Sequence, residues 1–238
     1  MYNNFNQKEI NLWEDVIIMY KPIKIKRSTK YGNNYWESYS PKINRIVRFF
    51  SDLEYDNWVY IETNPDIISF CEQPLKIQIN IDGKMKTSIF DMWVLYKDNT
   101  EEFIEVKYQS EIIGTSKKAI RSQKQIAAQK KWCEENSYNY CVKTDLDIRK
   151  NLTYLNTLKY IISQVKSCNE INLSDQEYIL NLLKGNCLSV KDIIEISKFK
   201  SNYIMNILSN LIYNGIIKIS NPDVEFSFDT EVFYYDKK

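Results

Sequence analysis

Phe90-Asp91-Met92-Trp93-Val94 and the later Phe103-Ile104-Glu105-Val106-Lys107 decide how the chain is read. With side chains alternating across a strand, Phe103, Glu105 and Lys107 share one face, and Ile104 and Val106 the other. A carboxylate and an ammonium thus stand side by side at the end of an otherwise apolar strand. Asp98-Asn99 supplies a turn between the two runs, so they are expected as neighbouring strands of one hairpin. Asp91 followed by Glu-x-Lys on the adjacent strand suits a metal-dependent phosphodiesterase. Two carboxylates hold a divalent cation, and the Lys orients water or offsets developing charge. The same residues also fit a solvated cross-strand ion pair and a turn aspartate.

A third carboxylate weighs between these readings. From Pro41 to Trp58 the apolar spacing predicts a helix, with Ile43, Ile46, Val47, Phe50 and Leu53 on one broad face. Arg45, Arg48, Asp52 and Asp56 fall opposite. Glu54 projects inside the apolar arc, where a carboxylate costs roughly several kcal/mol unless paired or metal-bound. It is either half of a buried ion pair, for instance with Lys107, or a site carboxylate entering the cleft of Asp91 and Glu105. Taken with the strand motif, the second is the expectation.

Further out, Leu75, Ile77, Ile79 and Ile81 alternate as a strand, and Asp82-Gly83 is the strongest hairpin signal in the chain. It should return the chain through Met85 to Tyr96 and bring Asp91 into the sheet. A basic helix is expected over 117–135 with Ile120, Ala127, Ala128 and Trp132 inward, then a strand over 138–145. This order describes an α/β sheet with its site on the central strands. Upstream, Leu12–Ile18 suggests a helix. The run Lys21–Gly32 reads either as a basic arm along a phosphate backbone or as an edge guarded by Lys.

Leu152 to Val165 forms an amphipathic bridge, after which the texture changes. Ser174-x-x-Glu177 is read as a capping box opening a helix through Leu183. Helices follow over 189–196 and 202–213, and strands 216–219 and 224–228 are expected to pair. Three helices and a small hairpin describe a winged helix. The division is therefore a nuclease-like unit over 1–166 and a winged-helix-like unit over 167–238.

Composition narrows the chemistry. The absence of histidine removes imidazole-based triads and His-ligated zinc hydrolysis. The net charge of +1 leaves polyanion binding to local basic patches. Five cysteines without a CxxC pair are expected as reduced thiols. No apolar run approaches the roughly 18 residues of a membrane span, so a cytoplasmic protein without a membrane partner is expected.

Arg48-Phe49-Phe50-Ser51-Asp52-Leu53-Glu54, Glu72-Gln73-Pro74, Asp91 and Glu105-Val106-Lys107 together resemble the TnsA-type endonuclease subunit of heteromeric transposons, over roughly residues 20–150. The resemblance implies a restriction-endonuclease-like PD-(D/E)xK core in which Glu54, Asp91, Glu105 and Lys107 are catalytic. It also implies Mg²⁺, for which Mn²⁺ can substitute, held by Glu54, Asp91, Glu105 and the Val106 carbonyl. The implied activity is cleavage of double-stranded DNA at the 5′ ends of the element, on the nucleoid. The implied partners are a DDE-type transposase and an AAA+ ATPase regulator. Phe90 stands where the family usually has proline, and Glu105 where some relatives carry Gln; neither change removes a required charge. A standalone restriction, repair or phage nuclease of the same fold, and a dead-nuclease adaptor, are the alternatives.

Overall fold

A computed structural model describes residues 20–24, 34–167 and 171–235. The expected N-terminal helix and most of the basic Lys21–Gly32 run lie outside those residues. The first elements are the antiparallel strands β1 (Trp36–Ser40) and β2 (Arg45–Phe49), followed by helix α1 (Asp52–Thr63). The helix expected from Pro41 is therefore a turn over 41–44 and a strand over Arg45–Phe49. Val47 and Phe49 alternate inward while Ile46 and Arg48 face out, and Ser51 starts the helix by accepting the Glu54 N–H. Asp56, expected on the polar side, is instead buried and paired with Arg149 (2.8 Å) and Lys159 (2.6 Å).

Strand β3 (Ile67–Glu72) precedes the hairpin β4 (Lys76–Ile81) and β5 (Lys84–Ile89), which turns at Asp82-Gly83 with φ of 53° and 74°. Two adjacent positive φ values are what a tight hairpin turn of this twist requires. The chain does not run on continuously to Tyr96. It breaks at Phe90-Asp91 and enters a second sheet through β6 (Met92–Tyr96) and β7 (Glu101–Lys107). Helix α2 (Lys117–Glu135) crosses over to β8 (Asn139–Thr144), which runs parallel to β7, giving the order β3-β6-β7-β8.

Strand alternation sorts this sheet into two apolar layers. Met92, Val94, Ile104 and Val106 join α1 and a later helix over Leu152–Ser167 in one core with Val47, Phe49 and Trp58. Trp93 and Phe103 point the other way, into a core with Phe90, the β4–β5 hairpin and α2. The inward face of α2 matches expectation in part, since Ala128 and Trp132 pack against this core. Ala119, Ser122, Gln129 and Cys133 are buried, while Ile120 and Ala127 are exposed. The polar members of that face turn out to matter to the site.

A short helix α3 (Asp145–Ile148) leads into α4 (Leu152–Ser167). Beyond it lie α5 (Leu173–Leu183), β9 (Cys187–Ser189), α6 (Val190–Ser197), α7 (Ser201–Tyr213), β10 (Ile217–Ile219) and β11 (Glu231–Tyr234). Asn172, not Ser174, caps α5, whereas α6 opens on Ser189, which forms a capping box with Asp192. Strand β10 pairs with 231–234 rather than with 224–228, and β11 also pairs with β9. Residues 224–228 form a loop whose Phe226 lies against Tyr160 of α4, with ring centroids 5.9 Å apart. A separate apolar core, including Ile179, Ile193, Leu208 and Val232, holds these elements together.

The C-terminal elements rest on the rest of the chain through α7. Tyr213 and Ile212 pack against the first core. Gly215, at φ +70°, approaches Pro65 so closely that a Cβ there would meet the proline ring at 2.5 Å. Among the described residues Cys71, Cys133, Cys141 and Cys187 are free thiols, and no helix is long and apolar enough to cross a membrane.

Candidate endonuclease site

The break before β6 and the end of β7 bring the expected residues together. Met92 pairs with Ile104, which sets Asp91 beside the last residues of β7, and the Val106 N–H donates to Asp91 Oδ2 at 2.8 Å. The break is anchored on both sides. Phe90 is fully buried against Phe103 (4.4 Å) and Trp132 (5.7 Å), and the Asp91 carbonyl accepts the Gln73 N–H. The aromatic ring thus fixes the approach to Asp91 through packing.

Glu105 is 1 % exposed, and Lys107 Nζ lies 2.6 Å from its Oε1. Two residues not anticipated from the sequence complete its surroundings. Gln125 Nε2 donates to Oε1 and Gln129 Nε2 to Oε2, each at 2.9 Å. Gln129 is itself held by the Tyr140 hydroxyl (2.9 Å) and contacts Ser88 (3.1 Å). The i, i+4 spacing of the two glutamines on a crossover helix was the available signal, since it places both on one face.

Glu54 reaches this region for a different reason than its projection on a longer helix. Its carboxyl accepts the Phe50 N–H and the Ser51 hydroxyl, both at 3.1 Å, and is thereby held against the start of α1. It also lies in the field of Asp91. Burial, and then Asp91, push its pKa up to about 7, against the lowering effect of the Phe50 N–H. Glu105 is likewise pushed up to about 7 by burial and Asp91. Asp91 is raised by burial, although Lys107 and the Val106 N–H favour its charged form. Burial opposes the Lys107 ammonium, but Asp91 and Glu105 outweigh it and hold its pKa above the ordinary lysine value.

Among the described residues no three His, Cys, Asp or Glu side chains form a ready metal cage. Glu54 is held by the Phe50 N–H and the Ser51 hydroxyl, and Glu105 is engaged by Lys107. The donor chemistry nevertheless fits a divalent cation. Asp91 Oδ1 has no donor among the described residues, and the carboxyls outnumber the single ammonium. A hard cation with oxygen ligands suits such a set.

These carboxyls set a pH dependence for the metal-free protein. Folding raises Glu54 and Glu105 from 4.5 to about 7, so across that window the folded chain binds more protons than the unfolded one. Stability therefore falls as pH rises from about 4.5 to about 7. The Lys107 contribution is constant there, because the window lies below the ordinary lysine pKa of 10.5. The expected result is a Tm in EDTA that declines between pH 5 and pH 8, with saturating Mn²⁺ suppressing the decline. A Tm that rises over this range would mean that burial and Asp91 do not raise the Glu54 and Glu105 carboxyls.

No curated protein matches the chain. Residues 64–145, which include Asp91, Glu105 and Lys107 but not Glu54 or the C-terminal elements, match the family model described as TnsA-like endonuclease N terminal, so this stretch of the chain is similar to that domain.

Proposed function

We propose that the protein is a metal-dependent DNA endonuclease, the subunit of a heteromeric transposase that cuts at the 5′ ends of the element. The observation that carries this reading is Asp91 docked on the Val106 N–H beside the Glu105–Lys107 pair. Asp91, Glu105 and the Val106 carbonyl would hold Mg²⁺ or Mn²⁺, with Glu54 as the carboxyl approaching from α1. Bound there, the cation supplies Lewis-acid polarisation of the scissile phosphate.

The other roles belong to the chain itself. Lys107 acts as a charge rather than a base. With its pKa above 10.5, fewer than about one in a thousand molecules would carry it neutral at pH 7.5. It orients the attacking water and offsets charge developing on phosphate. Gln125 and Gln129 hold Glu105 in place from α2.

The order α5, β9, α6, α7, β10, β11 supports a winged-helix reading of the C-terminal part, over about 167–238. It would dock the AAA+ ATPase or DNA, while a DDE-type transposase cuts the 3′ ends. A net charge of +1 favours such dependence, because little non-specific DNA affinity is available to the protein alone.

The test uses element-end DNA with transposase, ATPase and Mg²⁺. Lys107→Ala is expected to bind DNA almost normally and to cut on the order of 10²-fold more slowly, as for loss of one charge-stabilising donor. Wild-type cutting by the variant would reduce Lys107 to half of a structural ion pair. Efficient cutting of arbitrary plasmid by the protein alone would move the reading to a standalone nuclease.

A further inference from the structure

Beside the carboxyl site lies a cleft of about 760 Å³ between segment 20–24, the outer face of β2 and the turn after β3. Two backbone hydrogen bonds tie it to the site. Gln73, in its floor, donates its N–H to the Asp91 carbonyl (3.0 Å), and Phe50, in its wall, donates its N–H to Glu54. Whatever occupies the cleft is therefore a neighbour of the Asp91 and Glu54 carboxyls.

We propose that this cleft receives one unpaired nucleotide of the DNA strand flanking the scissile phosphate. The inference rests on the endonuclease reading above. Its volume falls within the range of small-ligand sites and admits a nucleotide but not a duplex.

Three features define the ligand. Gln73 is 4 % exposed, yet its amide nitrogen has no acceptor among the described residues. Buried donors are nearly always satisfied, and Gln73 lines the cleft, so a rotation of its amide toward an incoming acceptor would satisfy it. Its backbone is also held at φ +42°, a region sparsely used by residues other than glycine. Tyr35 and Phe50 present a tilted aromatic pair with centroids 5.6 Å apart, suited to a base face.

The charge at the rim is cationic in effect. Lys24 is exposed and has no ion-pair partner among the described residues. Arg48 forms an ion pair with the solvent-exposed Glu37 and also interacts with the Tyr35 hydroxyl, and such exposed pairs are weakly held. Arg45 is not available, because Glu72 holds it by two contacts of 2.7 and 2.6 Å. A phosphate alone would leave the aromatic wall unused. A paired base could not reach Gln73, because its faces and edge are occupied until it leaves the stack.

The test is titration of the full chain with a five-nucleotide single strand carrying central 2-aminopurine, in EDTA so that no cleavage intervenes. Wild type is expected to change the probe's fluorescence on binding. Gln73→Leu should weaken binding roughly tenfold while Tm holds or rises, since an unsatisfied amide is removed. Tyr35→Ala, on a half-buried side chain, should weaken it by a similar factor through lost stacking, and it carries the test if Gln73→Leu fails to fold. An unchanged probe signal with wild type, or wild-type affinity in Tyr35→Ala, overturns the subsite. Failure of the endonuclease reading is seen separately. Because the titration contains no metal, a chain that cuts DNA without binding the probe loses only the subsite.

Discussion

Asp91→Asn is expected to abolish divalent-cation binding and to lower DNA cleavage on the order of 10³-fold, while leaving the fold intact. The asparagine keeps an oxygen to accept the Val106 N–H, which Asp91 now accepts at 2.8 Å, so the end of β7 retains its neighbour. What disappears is the charge. That charge is among the causes raising both Glu54 and Glu105, so both should shift back toward the ordinary glutamate range. The metal-free variant should therefore match or exceed the wild-type Tm at pH 8, where repulsion is greatest. Calorimetric titration with Mn²⁺ and a thermal melt on the same sample decide the matter. An inactive variant with wild-type Mn²⁺ affinity would remove Asp91 from the ligand set. A destabilised variant would mean that Asp91 is retained for structure.

The largest effect on stability is expected far from the carboxyl site, at Glu62. Its carboxyl is 0 % exposed and accepts from the Ser40 hydroxyl (2.6 Å), the Lys42 N–H (3.1 Å) and the Tyr213 hydroxyl (2.6 Å). One side chain on α1 thereby joins the β1–β2 turn to α7. Glu62→Ala leaves three donors without their acceptor, at about 1–3 kcal/mol for each unsatisfied buried group. Relaxation and entering water recover part of this, so a total loss of about 3–5 kcal/mol is expected. For a chain of this length that corresponds to a fall in Tm of roughly 10 °C or more. Tyr213→Phe removes one partner only, and about 1–1.5 kcal/mol is expected. Urea denaturation of the two variants and their double mutant measures the coupling. Equal small losses in both would show that Glu62 is not the shared acceptor.

The reach of the sequence can be judged from particular residues. Alternation placed Glu105 and Lys107 on one face of a strand, and Asp98-Asn99 placed Asp91 on its neighbour; both are local patterns. The helix over 117–135 was readable at both ends because Ser116 caps it and Asn136 closes it. The segment 41–50 misled because Ile43, Val47 and Phe50 satisfy a helical period, while Val47 and Phe49 also satisfy a strand. Ser51 decides between them, since its side chain accepts the Glu54 N–H and such an N-cap starts a helix and cannot lie inside one. Gln125 and Gln129 were not legible as buried residues. A polar side chain is buried when an acceptor waits on another element, and here that acceptor is Glu105 on β7. The pairing of β10 with 231–234 depends likewise on β9, a strand of three residues too short to show a period.

The parallel pairing of β7 with β8 has a consequence for how the protein comes into being. Antiparallel neighbours such as β6 and β7 can close through a tight turn, but parallel strands must wait for the crossover between them. Glu105 pairs with Val142 across that crossover and takes its amide donors from the helix inside it. Contacts so distant along the chain form slowly, because loop closure precedes any compensating interaction. A nascent chain that has emerged only as far as Lys107 already carries Glu54, Asp91, Glu105 and Lys107. It still lacks the helix and strand that orient Glu105. Cutting competence should thus appear late in folding, in step with protection of the β8 amides from hydrogen exchange rather than with those of the β6–β7 hairpin.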